Sequence, residues 1–118
     1  MPKPLPVIDV SAPVCCSPMA AGAMDEQTAL EIAVRLKALA DPVRVRLMSL
    51  VLADDGQGCC TCDLAPAVGV TEATVSHHLK VLREAGLVER TKVGHNVYYQ
   101  ARRDALSALV GVIDPACC

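Results

Sequence analysis

Apolar positions recur at helical spacing along most of the chain, and only residues 87–100 depart from it, with two β-prone stretches around a glycine. Leu30, Val34 and Ala38, with neighbours Ala33 and Leu36, form an apolar stripe that predicts a first helix from Asp25, its cap, to Leu39. Asp41-Pro42 opens a second helix, because Asp caps and Pro fits the first helical position, where no N–H partner is needed. Val43, Leu47, Leu50 and Val51 carry it to Ala53, and Asp54-Asp55-Gly56-Gln57-Gly58 breaks it. A short third helix spans Cys62–Val68 and stops at Gly69, with Pro66 close to its start, tolerable only where its missing N–H falls in the first turn. Thr71 caps a fourth helix, Glu72–Ala85, with Val75, Leu79 and Leu82 inward and Gly86 as its stop. Leu87–Lys92 and Asn96–Gln100 are β-prone around Gly94 and predict a hairpin. Asp104 is the expected cap of a last helix through Val112. Leu106, Leu109, Val110 and Ile113 make that helix too apolar to face only its own core, which argues for a homodimer.

The third helix, a tight turn and the fourth helix have helix-turn-helix spacing. In that geometry the second helix enters the major groove and offers side chains to base edges. Here those are Glu72, Thr74, Ser76, His77, His78 and Lys80, with Thr71 at the cap. The hairpin offers Arg90, Lys92 and His95 to the phosphate backbone, where contacts supply affinity without sequence information. The alternative is a solvated polar face with a structural hairpin.

Charge supports the first view. Net charge is −2, so the molecule as a whole is not drawn to polyanions. Residues 80–103 nevertheless hold Lys80, Arg83, Arg90, Lys92, Arg102 and Arg103 against Glu84 and Glu89, a local +4 that leaves −6 on the remainder. Such a segment predicts an anion-facing surface. Composition narrows the ligand: aromatics are 2% of the 118 residues, too few for the stacking platforms of single-strand binders. No apolar run approaches the ~18–20 residues that span a bilayer. The start of the chain does not resemble a signal peptide, because Pro2, Pro4, Pro6, Pro13 and Pro18 interrupt its apolar residues. A cytoplasmic protein is expected, built as a Pro-rich arm, residues 1–24, and one domain, residues 25–118.

The seven cysteines fall in three clusters: Cys15 and Cys16; Cys59, Cys60 and Cys62; Cys117 and Cys118. An odd, clustered set in a reducing compartment points to metal or redox chemistry rather than to a disulfide framework. Two thiols at i and i+2 beside a helix N-terminus can converge on one ion, and the positive helix end favours thiolate. Soft thiolates select soft ions. Three sulfurs suit pyramidal As(III), and four suit Cd(II), Pb(II) or Zn(II). Cys59 is an extra thiol that could replace Cys60. Cys117 and Cys118 are either a frayed tail or a second site. His77, His78 and His95 all fall on the DNA-facing elements and are poor ligand candidates.

Three stretches carry a family resemblance. Leu36-Lys37-Ala38-Leu39-Ala40-Asp41-Pro42-Val43-Arg44, Cys60-Thr61-Cys62-Asp63-Leu64 and Thr74-Val75-Ser76-His77-His78-Leu79-Lys80-Val81-Leu82-Arg83-Glu84-Ala85-Gly86-Leu87-Val88, followed by Gly94 and Val97-Tyr98-Tyr99, resemble the ArsR/SmtB metalloregulatory repressors. The match covers residues 30–103. The resemblance implies a mainly α, winged helix-turn-helix homodimer with its first and last helices at the interface. It implies an ion-free dimer bound to double-stranded, inverted-repeat operator DNA and released by metal. A Cys-x-Cys at this position resembles the family's arsenite/antimonite site and half of its cadmium/lead site, which N-terminal cysteines of the other protomer complete. Cys15 and Cys16 are placed in sequence for that role, so the implied ligands are Cys15, Cys16, Cys60 and Cys62, or, for As(III) or Sb(III), Cys15, Cys16 and one of the central cysteines. Some arsenite sensors of the family are similar in pairing adjacent N-terminal cysteines with one cysteine near the helix two–three connection. The family's other site, on the last helix, needs paired His and acidic residues; no His lies there, so none is expected.

Two rivals differ in kind. One keeps the DNA-binding fold but oxidises its thiols. The other is a thiol-rich chaperone or reductase without a DNA role. Catalysis needs an activated nucleophile or a resolving thiol, and neither a Cys-x-x-Cys motif, a phosphate-cradling loop nor a nucleophile elbow is present. The chain is not expected to be an enzyme or to require a resident cofactor.

Overall fold

The computed structural model describes Val10, Ser11, Met19 and residues 22–115. The arm, with Cys15 and Cys16, and the terminal pair Cys117 and Cys118 therefore lie largely outside the described residues. Seven elements follow the expected order: α1 (Glu26–Leu39), α2 (Pro42–Ala53), α3 (Thr61–Val68), α4 (Glu72–Glu84), β1 (Val88–Val93), β2 (Asn96–Ala101) and α5 (Arg103–Ile113).

Caps explain where most helices begin. The Asp25 carboxylate accepts from the Thr28 amide at 2.8 Å. Asp41 accepts from the amides of Val43 and Arg44 at 2.8 and 3.2 Å. Both carboxyls are held below the usual carboxylate range, Asp25 first by its hydrogen bond to Thr28 and Asp41 first by the Arg44 amide. The ionised caps therefore contribute to stability at neutral pH, and that contribution is lost as pH falls through the lowered folded values.

Helix α3 starts one residue earlier than expected, because Cys60 is its N-cap and the sulfur accepts from the Asp63 amide at 3.3 Å. Pro66 is the sixth residue of this helix and lies in its interior, not in its first turn. It has no N–H to offer the Cys62 carbonyl. Gly69, at φ 74°, closes the helix in the left-handed conformation that suits glycine. The expected Asp104 cap of α5 is not formed. Arg102 is the N-cap, kept extended as its amide donates to the Leu87 carbonyl at 2.9 Å. Asp104 instead sits in the first turn and accepts from Arg102 Nη2 at 3.2 Å.

The main core is almost wholly aliphatic, with Leu47, Val75, Leu79, Leu82 and Leu87 fully buried and Tyr99 at its edge. The expected stripe of α1 is rotated. Ile32, Arg35 and Ala38 are buried, whereas Ala33 and Leu36 are exposed. The cause is tertiary: Ile32 packs against Leu109 and Val112 of α5 in a second cluster, which selects the face. Arginines hold the other helix ends together. Arg44 Nε donates to the Ala38 carbonyl at the end of α1 (2.6 Å), Arg46 Nη2 to the Ala67 carbonyl of α3 (3.0 Å), and Arg103 to the Leu52 carbonyl of α2. Each satisfies a carbonyl that the helix leaves without an internal donor.

The hairpin is antiparallel and in register from Val88↔Ala101 to Val93↔Asn96, around Gly94 and His95. Only Val88 of β1 is buried, so the rest of that strand projects from the body as a wing.

Candidate nucleic-acid interface and thiol site

Burial of Val75, Leu79 and Leu82 turns one face of α4 inward. Helical periodicity then sends Glu72, Thr74, Ser76, His77 and Lys80 outward, and all five are exposed. Thr71 is occupied as the cap, its hydroxyl accepting from the Thr74 amide at 3.2 Å. His78 is set apart from the other candidates. It is half-buried, and its Nδ1 lies 3.1 Å from Arg44 Nη1. A guanidinium only donates, so Nδ1 must be the acceptor and the ring proton sits on Nε2. Lys80 is 3.9 Å from Glu84 in an exposed pair, which holds it only weakly and leaves it able to turn to an anion.

A groove between α4 and the wing is lined by Thr61, Ser76, Lys80, Arg83, Arg90, Val97 and Tyr99. It brings Ser76, Lys80 and Arg90 together. Arg83 joins them although it was not among the expected contact residues; its spacing of three from Lys80 and seven from Ser76 marks the same helix face. Lys92 and His95 are exposed farther along the wing. Arg102 and Arg103 do not belong to this surface. Arg102 Nη1 donates to the Val10 carbonyl at 3.1 Å, and Arg103 donates to the Leu52 and Asp54 carbonyls. The basic charge gathered at the groove and along the wing therefore comes from Lys80, Arg83, Arg90 and Lys92, a smaller set than residues 80–103 suggest.

Thr61, which lines the same groove, stands between two of the central thiols. Cys59 exchanges backbone hydrogen bonds with Tyr99 of β2, at 2.9 and 2.8 Å, and so extends the wing sheet by one bridge. Its thiol is pushed above its ordinary pKa, first by burial and then by the carboxylates of Asp54 and Asp63. That disfavours the thiolate a metal needs. Cys60 and Cys62 differ: Cys60 is half-buried, Cys62 is exposed, and their sulfurs are joined as a disulfide across a Cα separation of 5.2 Å. Both sulfurs and a carboxylate oxygen of Asp63 lie within 4.8 Å of one another. Once reduced, this is a donor set of two soft sulfurs and one hard oxygen at the positive end of α3, chemistry that fits a thiophilic ion. Among the described residues no other group of three His, Cys, Asp or Glu side chains converges in this way. Asp63 was not foreseen as a donor, although its place immediately after Cys62 was visible.

Comparison with known proteins agrees with this geometry. The family model described as "Bacterial regulatory protein, arsR family" matches residues 41–90, from α2 into β1. A transcriptional repressor SmtB homolog from Synechocystis is 47% identical over 76 residues, covering 64% of this chain and 55% of its own length. A cadmium resistance transcriptional regulatory protein CadC homolog from Staphylococcus aureus is 35% identical, covering 72% of this chain and 69% of that protein. The chain belongs to the arsR family. Its fold agrees with that of the family: the homodimeric winged helix-turn-helix DNA-binding domain Mb0332 of Mycobacterium bovis, a possible ArsR-family regulator solved by NMR, superposes with a TM-score of 0.62 at 29% identity. That match covers 76% of this chain and 83% of the other. The arsR match covers α3 and α4 whole and the first wing strand as far as Arg90, and it includes Cys59, Cys60 and Cys62. This is a family of regulatory proteins rather than of enzymes. No helix among the described residues is long and apolar enough to cross a membrane.

Proposed function

We propose that the chain is a homodimeric, metal(loid)-responsive transcriptional repressor: the ion-free dimer holds inverted-repeat operator DNA, and thiolate capture of As(III) or Sb(III) releases it. The observation that carries this reading is the position of the Cys60/Cys62 pair. The residue between them lines the same groove as Ser76, Lys80 and Arg90, so a change at the thiols is felt where DNA would sit.

Three features support the dimer. Val110 and Ile113 of α5 are 65% and 43% exposed, and Leu36 of α1 is 38% exposed. These apolar side chains lie on the two helices already joined through Ile32, Leu109 and Val112. The Mycobacterium relative is described as homodimeric. In the dimer, two copies of α4 would present Glu72, Thr74, Ser76 and His77 to successive major grooves, with Lys80, Arg83, Arg90 and Lys92 on phosphates.

Cys60 and Cys62 supply two ligands, and Cys15 and Cys16, from the arm of the other protomer, complete the shell. The bound ion would supply strong sulfur bonds that hold separated chain segments together. The chain's own residues do the rest: Cys60 as N-cap sets the start of α3, Thr61 reaches α4, and Cys59 ties the segment to the wing. Three thiolates would suit As(III) or Sb(III). A fourth, or the Asp63 carboxylate, would suit Cd(II) or Pb(II), and the Staphylococcus relative is named for cadmium resistance. The Cys60–Cys62 disulfide favours a second reading in which oxidation of the same pair is the signal.

Titration of the reduced dimer with arsenite and with Cd(II), following sulfur-to-metal absorption and the number of protected thiols, separates these readings. Three thiols protected per arsenite is the expected result. Four per Cd(II), with weak arsenite uptake, makes the inducer a divalent ion. Uptake of neither ion, with release from DNA by peroxide reversed by a dithiol, establishes the redox reading instead.

A further inference from the structure

Arg44 joins three helices. Its amide donates to the Asp41 carboxylate that caps α2, at 3.2 Å. Its Nε donates to the Ala38 carbonyl in the last turn of α1, at 2.6 Å. Its Nη1 lies 3.1 Å from Nδ1 of His78 on α4. Ala38 is buried, and Arg44 and His78 are half-buried. A guanidinium is a planar fork that only donates, so with Nε tied to α1 its other N–H groups have a fixed direction. The neutral His78 ring is the acceptor that one of them meets.

Helix α1 is also the helix whose Ile32 packs on Leu109 and Val112 of α5. Leu36, Val110 and Ile113 are exposed on that pair. Arg44 therefore connects α4 to the two helices that the repressor reading gives to the dimer. Burial of Val75, Leu79 and Leu82 presses α4 onto the body, but apolar attraction is non-directional. A hydrogen bond has a preferred length and angle, and so fixes how the helix is turned. Among the expected contact residues of α4, His78 alone is half-buried; Glu72, Thr74, Ser76, His77 and Lys80 are exposed.

We propose that His78 is a positioning residue and not a reader of bases: accepting from Arg44 at Nδ1, it locks the angle of α4 to the end of α1, and so sets how the two α4 helices of the dimer are aimed at successive major grooves. This role rests on the repressor reading above and involves no change at the thiols.

The test uses full-length, reduced, ion-free protein as wild type, His78→Ala, Arg44→Met, the double variant and His78→Asn. Asparagine carries an oxygen close to the place of Nδ1, which accepts from Arg44, and it has no second ring nitrogen to offer DNA. Affinity is read by fluorescence anisotropy on the chain's own promoter duplex and on a scrambled duplex of equal length and composition. Hydrogen exchange of the α4 amides is followed without DNA, with α5 as the internal reference. His78→Ala is expected to weaken promoter binding about 3- to 30-fold. Binding to the scrambled duplex, which depends on phosphate contacts, should hardly change. Exchange in α4 should quicken relative to α5. Arg44→Met should lose at least as much affinity, and adding His78→Ala to it should cost nothing further. His78→Asn should match wild type in both measurements. Losses that add in the double variant, or promoter affinity lost with α4 exchange unchanged, make His78 a DNA contact and overturn the proposal. Undiminished promoter affinity in His78→Ala overturns it as well. Should Arg44→Met fold poorly, the two His78 variants decide, since equal losses in both also overturn it. A wild type that binds both duplexes equally overturns the repressor reading and this role with it, whereas each preceding result overturns this role alone.

Discussion

Replacing both central thiols, Cys60→Ser with Cys62→Ser, is expected to leave operator binding at its ion-free strength and to abolish the response to arsenite. The substitution is mild for the fold. Serine at position 60 is a stronger N-cap than cysteine, because its hydroxyl oxygen accepts readily from the Asp63 amide. Cys62 is exposed and packs no core. The residues that seat α4 are elsewhere. What is lost is the capacity to bind a soft ion, since hydroxyl oxygens do not replace thiolates for such ions. In wild type an allosteric coupling of ~1–3 kcal/mol corresponds to roughly 5- to 150-fold weaker DNA binding. In the double variant that ratio should fall to one. Band shifts with and without arsenite measure it, and a retained response would remove Cys60 and Cys62 from the sensor.

Leu79→Ala is expected to be the most damaging single change on the DNA-facing helix, although Leu79 touches no DNA. Its side chain is fully buried between Val75 and Leu82, which are fully buried as well. The core around it is aliphatic, and Tyr99 is its only buried aromatic among the described residues. Truncating such a leucine removes apolar burial and leaves a cavity, at a cost of about 2–5 kcal/mol. Set against a total stability of roughly 5–15 kcal/mol for a domain, this is a large fraction. Operator affinity should fall with stability, because α4 has no seat apart from this core. Urea denaturation at fixed protein concentration checks it, concentration being held constant because dimerisation shifts the midpoint. A loss below about 1 kcal/mol would mean that α4 is held by something other than its buried face.

Helix starts and stops were legible because they depend on local chemistry. Asp25, Asp41 and Thr71 cap, and Gly69 and Gly86 adopt positive φ. The inward face of α4 was legible for the same reason, with Val75, Leu79 and Leu82 at helical spacing in an otherwise polar segment. What could not be read locally is tertiary. The buried face of α1 is chosen by α5, which turns Arg35 inward and Leu36 outward. The start of α5 is chosen by the Arg102–Leu87 hydrogen bond and not by the nearest aspartate. Cysteine is an unusual cap, so Cys60 did not mark the true start of α3. Charge counting treats every arginine alike and cannot distinguish Arg83 and Arg90, which line the groove, from Arg102 and Arg103, which hold backbone carbonyls elsewhere. In the candidate site, the two thiols and the outward residues of α4 were visible as motifs. Their linkage was not, since the Cys59–Tyr99 bridge and the Thr61–Glu72 contact join residues distant in sequence.

A metal-responsive repressor has an ion-free and an ion-loaded state, and titration onto DNA compares them directly. Reduced, ion-free protein is titrated onto its own promoter duplex and onto a scrambled duplex of equal length and composition, and arsenite or Cd(II) is then added at fixed protein concentration. The account predicts tighter binding to the promoter duplex, and its release by at least one of the two ions at concentrations that protect the central thiols. Equal affinity for both duplexes, or promoter binding untouched by either ion while the thiols are fully occupied, would contradict it.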